Sequence, residues 1–175
     1  MQVSEIGSLA ESLYLHERIS DNDFLLEVVN LGQRELPVFA FRETTTDITV
    51  TGDEAGITWK DLPVDFVQTV EIRQGDRGYT SVYEIRDNKI RFPAAGTYTV
   101  HYRKLPAELV TVTQEPEVHQ AYHDVLPRYV AGFYKRSVVG DRDGGDALIA
   151  EFYATARVVV DNLRPPRRIK AMAWS

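Results

Sequence analysis

The sequence contains no cysteine, which excludes disulfide bonds, thiolate catalysis and cysteine-ligated zinc. It also lacks any apolar run approaching the ~18 to 20 residues of a membrane-spanning helix. Its first five residues carry no basic side chain and open no long apolar run, which argues against a secretory signal. Basic residues are few: 20 against 26 acidic ones give a net charge of −6, which disfavours general nucleic-acid binding.

What is present is typical of a globular protein. The 175 residues are 43% hydrophobic, enough for one domain or a domain with an insertion. The charge is unevenly spread, since residues 1–60 hold eleven acidic and four basic side chains, whereas residues 164–175 hold four basic and no acidic ones. This asymmetry indicates either a tail that meets a negatively charged partner or a solvated chain end.

The N-terminal part of the chain has a helical apolar period. In residues 3–16 the apolar side chains recur at spacings of three and four, so they share one helix face. Ser20 or Asp21 is suited to cap a second helix, which residues 32–37 should end. The predicted apolar stripe of this second helix is Phe24, Leu25, Val28, Val29 and Leu31.

The helical period returns in the C-terminal part. We predict a helix that begins at Pro116 and is kinked or broken near Asp124, because an interior Pro127 removes a backbone hydrogen bond. Residues 140–145 read as a loop, and a last helix is predicted over residues 146–163. Its predicted apolar face is Ile149, Phe152, Tyr153, Ala156, Val159, Val160 and Leu163.

The segment between these helices has the period of two that is typical of strands. Short turns separate the predicted strands, so the strands are expected to be antiparallel, because parallel pairing needs long crossovers. The predicted strands are residues 44–50, 67–72, 80–86, 89–92 and 97–103.

The pattern predicts an α+β fold. Residues 1–36 and 106–163 are expected to form a helical bundle from N- and C-terminal helix pairs, because no helix buries its apolar stripe alone. Residues 37–105 are predicted to be an inserted antiparallel β lobe, and residues 164–175 a flexible basic C-terminal tail.

The clearest candidate for chemistry is a histidine pair. His119 and His123 are spaced i, i+4 on a predicted helix, a spacing that occurs in zinc sites. The residue after the first histidine is Gln120 instead of the usual glutamate, and a third ligand would have to come from Glu115 or Asp124. A surface or interface pair is the favoured interpretation, so no metal site, cofactor or catalytic residue is predicted.

Two other patterns are weaker. Ser81 and Ser137 lack the neighbouring base that a nucleophile needs, and residues 140–145 lack the spacing of a calcium loop. Aromatic and basic residues also alternate in the β segment, a pattern that occurs in proteins that bind single-stranded nucleic acid, although the acidic composition of the chain disfavours such binding. The residues concerned are Tyr98, Tyr102, Arg91 and Arg103.

The order of short motifs in the C-terminal third carries a resemblance. A strand ends in an aromatic residue before Leu105-Pro106, and a proline-led segment then carries Tyr122-His123. An Asp/Gly-rich loop follows, and then a helix with Ala147-Leu148 and Phe152-Tyr153. With residues 20–36 and 62–66 upstream, this order resembles the head–tail adaptor proteins in the neck of tailed bacteriophages. The similarity is one of pattern and covers about residues 5–163.

The resemblance implies a structural, non-catalytic virion protein that assembles in the host cytoplasm. Such adaptors form a ring of identical subunits, commonly twelve, that docks on the portal protein and extends the DNA channel toward a stopper or tail terminator. DNA passes through the lumen without sequence-specific binding. The C-terminal segment often docks on the portal, which maps here onto Arg164, Arg167, Arg168, Ile169, Lys170, Met172 and Trp174.

Three alternatives stay open at this stage. Another phage neck or tail-completion (stopper) protein would use the same physics with different neighbours. A metal-dependent enzyme would use His119 and His123, and a nucleic-acid-binding module would show a steep salt dependence of its DNA affinity.

Overall fold

The computed structural model describes residues 1–75, 78, 80 and 82–163. Within them the fold is α+β as predicted, with a helical bundle and an inserted pair of small antiparallel sheets. The helices are α1 (Val3–Ala10), α2 (Asn22–Glu35), α3 (Leu126–Tyr134) and α4 (Arg142–Leu163). The strands are β1 (Glu43–Val50), β2 (Lys60–Asp61), β3 (Phe66–Gln74), β4 (Glu84–Arg86), β5 (Lys89–Arg91) and β6 (Gly96–Lys104).

The second helix begins where its capping signal predicted. The Asp21 carboxylate accepts hydrogen bonds from the backbone N–H groups of Asp23 and Phe24, at 2.9 and 3.0 Å. These bonds satisfy N–H groups that have no partner inside the helix. The prediction of Leu31 in the buried stripe is wrong, because its side chain is 37% exposed while the next residues, Gly32 and Gln33, are buried.

The predicted helix start at Pro116 is wrong. The chain is irregular before a 3₁₀ turn at Gln120–Tyr122, and α3 begins at Leu126. Pro127 therefore lies in the first turn of α3, where its missing N–H leaves no hydrogen bond unmade, so it does not kink the helix interior. The predicted kink or break into two helices near Asp124 does not occur, because Asp124 lies in the turn between the 3₁₀ turn and α3 and no α-helix precedes it there.

The last helix begins earlier than the predicted residue 146. The Asp141 carboxylate accepts a hydrogen bond from the Gly144 N–H at 3.0 Å, and this capping interaction extends α4 to Arg142. Gly140 precedes it with a φ of 81°, which reverses the chain after the π-helical turn Lys135–Val139. The predicted loop over residues 140–145 is therefore too long, because residues 142–145 already belong to the first turn of α4.

Two buried amide side chains hold the irregular segment before α3 against the bundle. Asn30 donates to the Leu109 carbonyl at 2.9 Å and accepts from the Leu109 N–H at 2.8 Å. Gln33 donates to the Ala107 carbonyl at 2.8 Å and to Asn30 at 3.1 Å. These two side chains of α2 supply the hydrogen bonds that a neighbouring strand would otherwise make. The backbone groups of Ala107 and Leu109 are thereby satisfied away from water.

The β lobe consists of two three-stranded antiparallel sheets, ordered β1-β6-β3 and β2-β5-β4. The predicted strand over 80–86 is shorter in the structure, where β4 begins at Glu84. Alternation in β6 places Tyr98, Val100 and Tyr102 on the buried face. They belong to a core of their own: Ile48, Val50, Leu62, Ile72, Ile90, Phe92, Tyr98, Val100 and Tyr102.

The bundle has a separate core built from α1, α2, α3 and α4. Its largest fully buried side chains include Ile6, Tyr122, Leu126 and Phe152. A backbone bridge between Phe41 and Val118 and an ion pair between Lys104 and Glu117 at 2.6 Å connect the chain segments that lead into and out of the β lobe. The structure is thus one chain with two apolar cores.

Candidate functional site

The histidine pair does not form the predicted helical site. His119 is exposed and caps the 3₁₀ turn, where its Nδ1 accepts from the Ala121 N–H at 3.3 Å. His123 is only 3% exposed, and its Nδ1 lies 3.2 Å from the Met1 amino group. Because a tight turn separates the two rings, the i, i+4 geometry of a helix does not apply to them.

Burial governs the protonation of His123. Desolvation, and then the positive Met1 amino group, lower the pKa of the His123 imidazole, while the Val118 backbone and the Glu115 carboxylate act in the opposite direction. Glu115 lies 3.3 Å from the Met1 amino group and completes this cluster. Among the residues that the structure describes, no group of three or more histidine or carboxylate side chains is arranged to hold a metal ion.

The aromatic residues of the β segment do not form a surface for stacking bases. Tyr98 and Tyr102 are 2% and 5% exposed, and both rings face the core of the β lobe. Tyr98 stacks on Phe92 at a centroid distance of 3.8 Å. The single-stranded nucleic-acid interpretation of these tyrosines is therefore wrong, because a base needs an exposed ring face.

A concave surface lies where the β lobe meets the end of the bundle. It has a volume of about 620 Å³ and lies between α4, the segment after α2 and the start of β3. Its lining residues are Glu35, Pro37, Val38, Phe39, Gln68, Tyr153, Ala156, Arg157, Val160 and Asp161. We call this surface the junction groove.

The helix side of the junction groove contains a tyrosine that the sequence placed in the core. Tyr153 is 45% exposed, and its hydroxyl donates to the Glu35 carboxylate at 2.9 Å. Burial of the phenol and this hydrogen bond raise the pKa of Tyr153 to about 12. The prediction of Tyr153 on the buried face is therefore wrong, whereas Phe152, Ala156 and Val160 are buried as predicted.

The opposite side contains an exposed phenylalanine beneath an arginine. Phe39 is 40% exposed, and the Arg103 guanidinium lies over its ring at 4.8 Å. Arg103 also pairs with Glu43 at 2.9 Å and hydrogen bonds to Gln68 at 3.1 Å. Aromatic side chains and an arginine at one surface are typical of protein interfaces, where they anchor a partner.

The junction groove thus combines apolar walls with charges of both signs at its rim. This composition suits a protein segment that inserts an apolar side chain and hydrogen bonds at its flanks. The sequence contained the residues, but no periodic signal marked them. Phe39 follows a helix end, and Tyr153 lies next to the buried Phe152, from which spacing alone does not separate it.

The residues predicted to dock on a partner lie outside the described part of the chain. They are Arg164, Arg167, Arg168, Ile169, Lys170, Met172 and Trp174. Helix α4 (Arg142–Leu163), which precedes these residues in the sequence, runs along the junction groove.

Comparison of the chain with protein families and with curated proteins gave no match. In the described residues, no helix combines the length and apolar character needed to cross a bilayer.

Proposed function

We propose that this chain is a structural virion protein, a head–tail adaptor that docks on the portal and extends the DNA channel toward the tail. The order of sequence motifs from residue 5 to 163 supports the proposal. The observation that carries it furthest is the junction groove, an apolar and charged concave surface on the helix that leads into the basic tail.

In this proposal the chain works by binding. Identical copies form a ring, commonly of twelve, and the tail residues from Arg164 to Trp174 contact the portal. Tryptophan and arginine are enriched among the residues that dominate binding energy, so Trp174 is the expected anchor of this contact. The ring then presents its other side to a stopper or tail-terminator protein.

Electron microscopy of the protein mixed with purified portal tests the proposal. We expect a ring of density at the narrow end of the portal, continuous with its channel. A stopper or other tail-completion protein would leave the isolated portal undecorated, and that result would contradict the adaptor assignment.

Two charge-reversal variants, one in the tail and one elsewhere, test the role of the tail. Replacing Arg167, Arg168 and Lys170 with glutamate should abolish portal decoration, because long-range attraction becomes repulsion. The matched control replaces Arg18, Arg86 and Lys89 with glutamate as well. These are exposed basic residues elsewhere on the described surface, so this variant should still decorate the portal. Equal loss in both variants would indicate a general charge effect and remove the tail from the docking site.

A further inference from the structure

The two edges of the β1-β6-β3 sheet differ in how they are protected. The β3 edge contains two register shifts, and Gly78 and Thr80 pair with its last residues. Thr80 donates to the Ile72 carbonyl at 2.9 Å, and Gln74 donates to the Gly78 carbonyl at 3.0 Å. Bulges and covering segments of this kind prevent another strand from pairing with an edge.

The β1 edge has a continuous register. Its eight residues pair with β6 without a bulge, from Glu43 opposite Arg103 to Val50 opposite Gly96. The Lys104 N–H donates to the Arg42 carbonyl at 3.0 Å. This bond shows that Arg42 directs its backbone C=O toward β6. Because hydrogen-bonded and non-hydrogen-bonded residues alternate along an antiparallel strand, every second residue from Glu43 onward directs its N–H and C=O away from β6. These residues are Glu43, Thr45, Asp47 and Thr49.

The edge-facing groups are open in the part of the chain that the structure describes. No hydrogen bond among the described residues reaches the backbone N–H or C=O groups of these four residues. All four side chains are exposed as well. A long, regular and uncovered edge of this kind is a template for an added strand, whose main chain supplies the missing hydrogen bonds.

The side chains of β1 define the chemistry of the added strand. The edge contains Glu43 and Asp47 and no basic residue. Asp47 accepts a hydrogen bond from the Thr99 hydroxyl at 2.7 Å, whereas Glu43 forms an ion pair with Arg103. Opposite charges on neighbouring strands attract, so lysine or arginine in alternate positions fits this face.

The other face of the added strand would lie beside the core of the β lobe. Ile48 and Val50 are 8% and 3% exposed at this end of the core. Valine, isoleucine or threonine in the intervening positions would extend that apolar layer. Proline would not fit, because it lacks the N–H that the ladder needs.

We propose that the open edge of β1 is a strand-acceptor site for an extended, proline-free segment of another protein, in which basic and β-branched side chains alternate. The site does not depend on the head–tail assignment, because strand addition uses the β1 backbone whatever neighbour supplies the segment.

Tethering tests the proposal, and the lack of cysteine in the chain makes it selective. A Thr45→Cys variant is mixed with peptides as long as β1 that contain a central cysteine. The first alternates lysine with valine and threonine, the second has glutamate for lysine, and the third has proline on both sides of the cysteine. The measured quantity is the fraction of mixed disulfide in a thiol buffer.

We expect the mixed disulfide with the basic peptide to be favoured about tenfold over the other two. Hydrogen exchange should then slow at the amides of Asp47 and Thr49 and stay unchanged at Ile48, which already pairs with β6. Equal disulfide fractions for the three peptides, or unchanged exchange at Asp47, would overturn the proposal. A Ser12→Cys control, exposed on another element, should not distinguish the peptides.

Hydrogen exchange on the unmodified protein shows whether a second copy of the chain or the tail of the same chain already occupies the β1 edge. We expect fast exchange at Asp47 and Thr49 at all protein concentrations. Slow exchange that increases with concentration would assign the edge to a second copy of the chain. Slow exchange that is lost in an Ile169→Pro variant would assign it to the tail of the same chain, and either result would overturn the proposal.

Discussion

The buried polar side chains in the described part of the chain are Asn30, Gln33 and His123, and all three contact a distant part of the sequence. Asn30 and Gln33 hold residues 107–109 against α2, and His123 lies beside the Met1 amino group. Buried amides and imidazoles cost free energy unless they are hydrogen bonded, so these contacts fix the path of irregular segments.

The lowered pKa of His123 predicts a pH-dependent stability. Burial favours the neutral imidazole in the folded protein, so the unfolded chain binds the proton first as pH falls through the ordinary value of 6.5. The contribution of His123 to the free energy of unfolding should therefore be fully present above pH 6.5, and the protein should become less stable as the pH falls below that value. Urea denaturation between about pH 7.5 and pH 5.5 measures this change.

A pair of glutamine variants assigns the effect to one ring. His123→Gln should reduce the pH dependence of the free energy of unfolding, because it removes the buried titrating group. His119→Gln changes an exposed imidazole and should keep the dependence of the parent protein. If both variants keep it, His123 is not the group that links protonation to folding.

At the scale of secondary-structure elements, the crossing of α3 and α4 depends on two glycines. A Cβ at Gly145 would lie 2.6 Å from the Gly132 carbonyl oxygen, and a Cβ at Gly132 would lie 2.9 Å from the Gly145 carbonyl oxygen. Real side chains do not approach backbone this closely, so the two helices meet at a distance that only glycine permits.

We predict that Gly145→Ala destabilises the protein by about 1–3 kcal/mol, because the added methyl group separates α3 from α4. The sign is informative, since alanine in a helix interior otherwise stabilises by about 1 kcal/mol relative to glycine. Chemical denaturation measures the change. Gly52→Ala, where a Cβ meets nothing within 4 Å, should stay within about 0.5 kcal/mol of the parent. A stabilised Gly145→Ala variant would contradict the close crossing.

At the scale of the whole molecule, the chain has two apolar cores joined by two connecting segments. The bundle core and the β core have no buried residue in common. The connections pass through Phe41 and Val118 and through the Lys104–Glu117 ion pair. Separate cores open with separate free energies when few apolar contacts couple them.

We therefore predict that core truncations act mainly within one lobe. Ile90→Ala removes a fully buried side chain from the β core and should destabilise that lobe by about 2–4 kcal/mol. Native-state hydrogen exchange should accelerate in β5 and β6 and change little in α3. Val130→Ala, in the bundle core, should produce the reverse pattern. Equal acceleration in both lobes would show that the two cores unfold as one unit.

Local chemistry explains which elements were predictable. The Asp21 cap and the strands β1 and β6 depend on neighbours within a few residues, and the structure confirms them. The prediction of a helix start at Pro116 was wrong because proline is equally compatible with an extended chain. The histidine pair failed with it, since i, i+4 spacing has meaning only inside a helix.

The candidate surfaces were less predictable, because burial is a property of the assembled fold. Alternation showed that Tyr98 and Tyr102 share a face, and only packing against Phe92 and Phe66 decided that this face is the inner one. Tyr153 and Phe39 line the junction groove because of where the β lobe meets α4. No periodicity in either segment specifies that meeting point.

The sequence by itself determined the α+β class, the helical character of the N- and C-terminal parts of the chain, the antiparallel β lobe and the basic composition of the tail. It did so because composition, period and turn chemistry act over short distances. Tertiary structure alone decided the position of the junction groove, the burial of His123 and the open edge of β1. These features depend on which distant segments meet, and contacts between residues far apart in the chain leave no periodic signal in either segment.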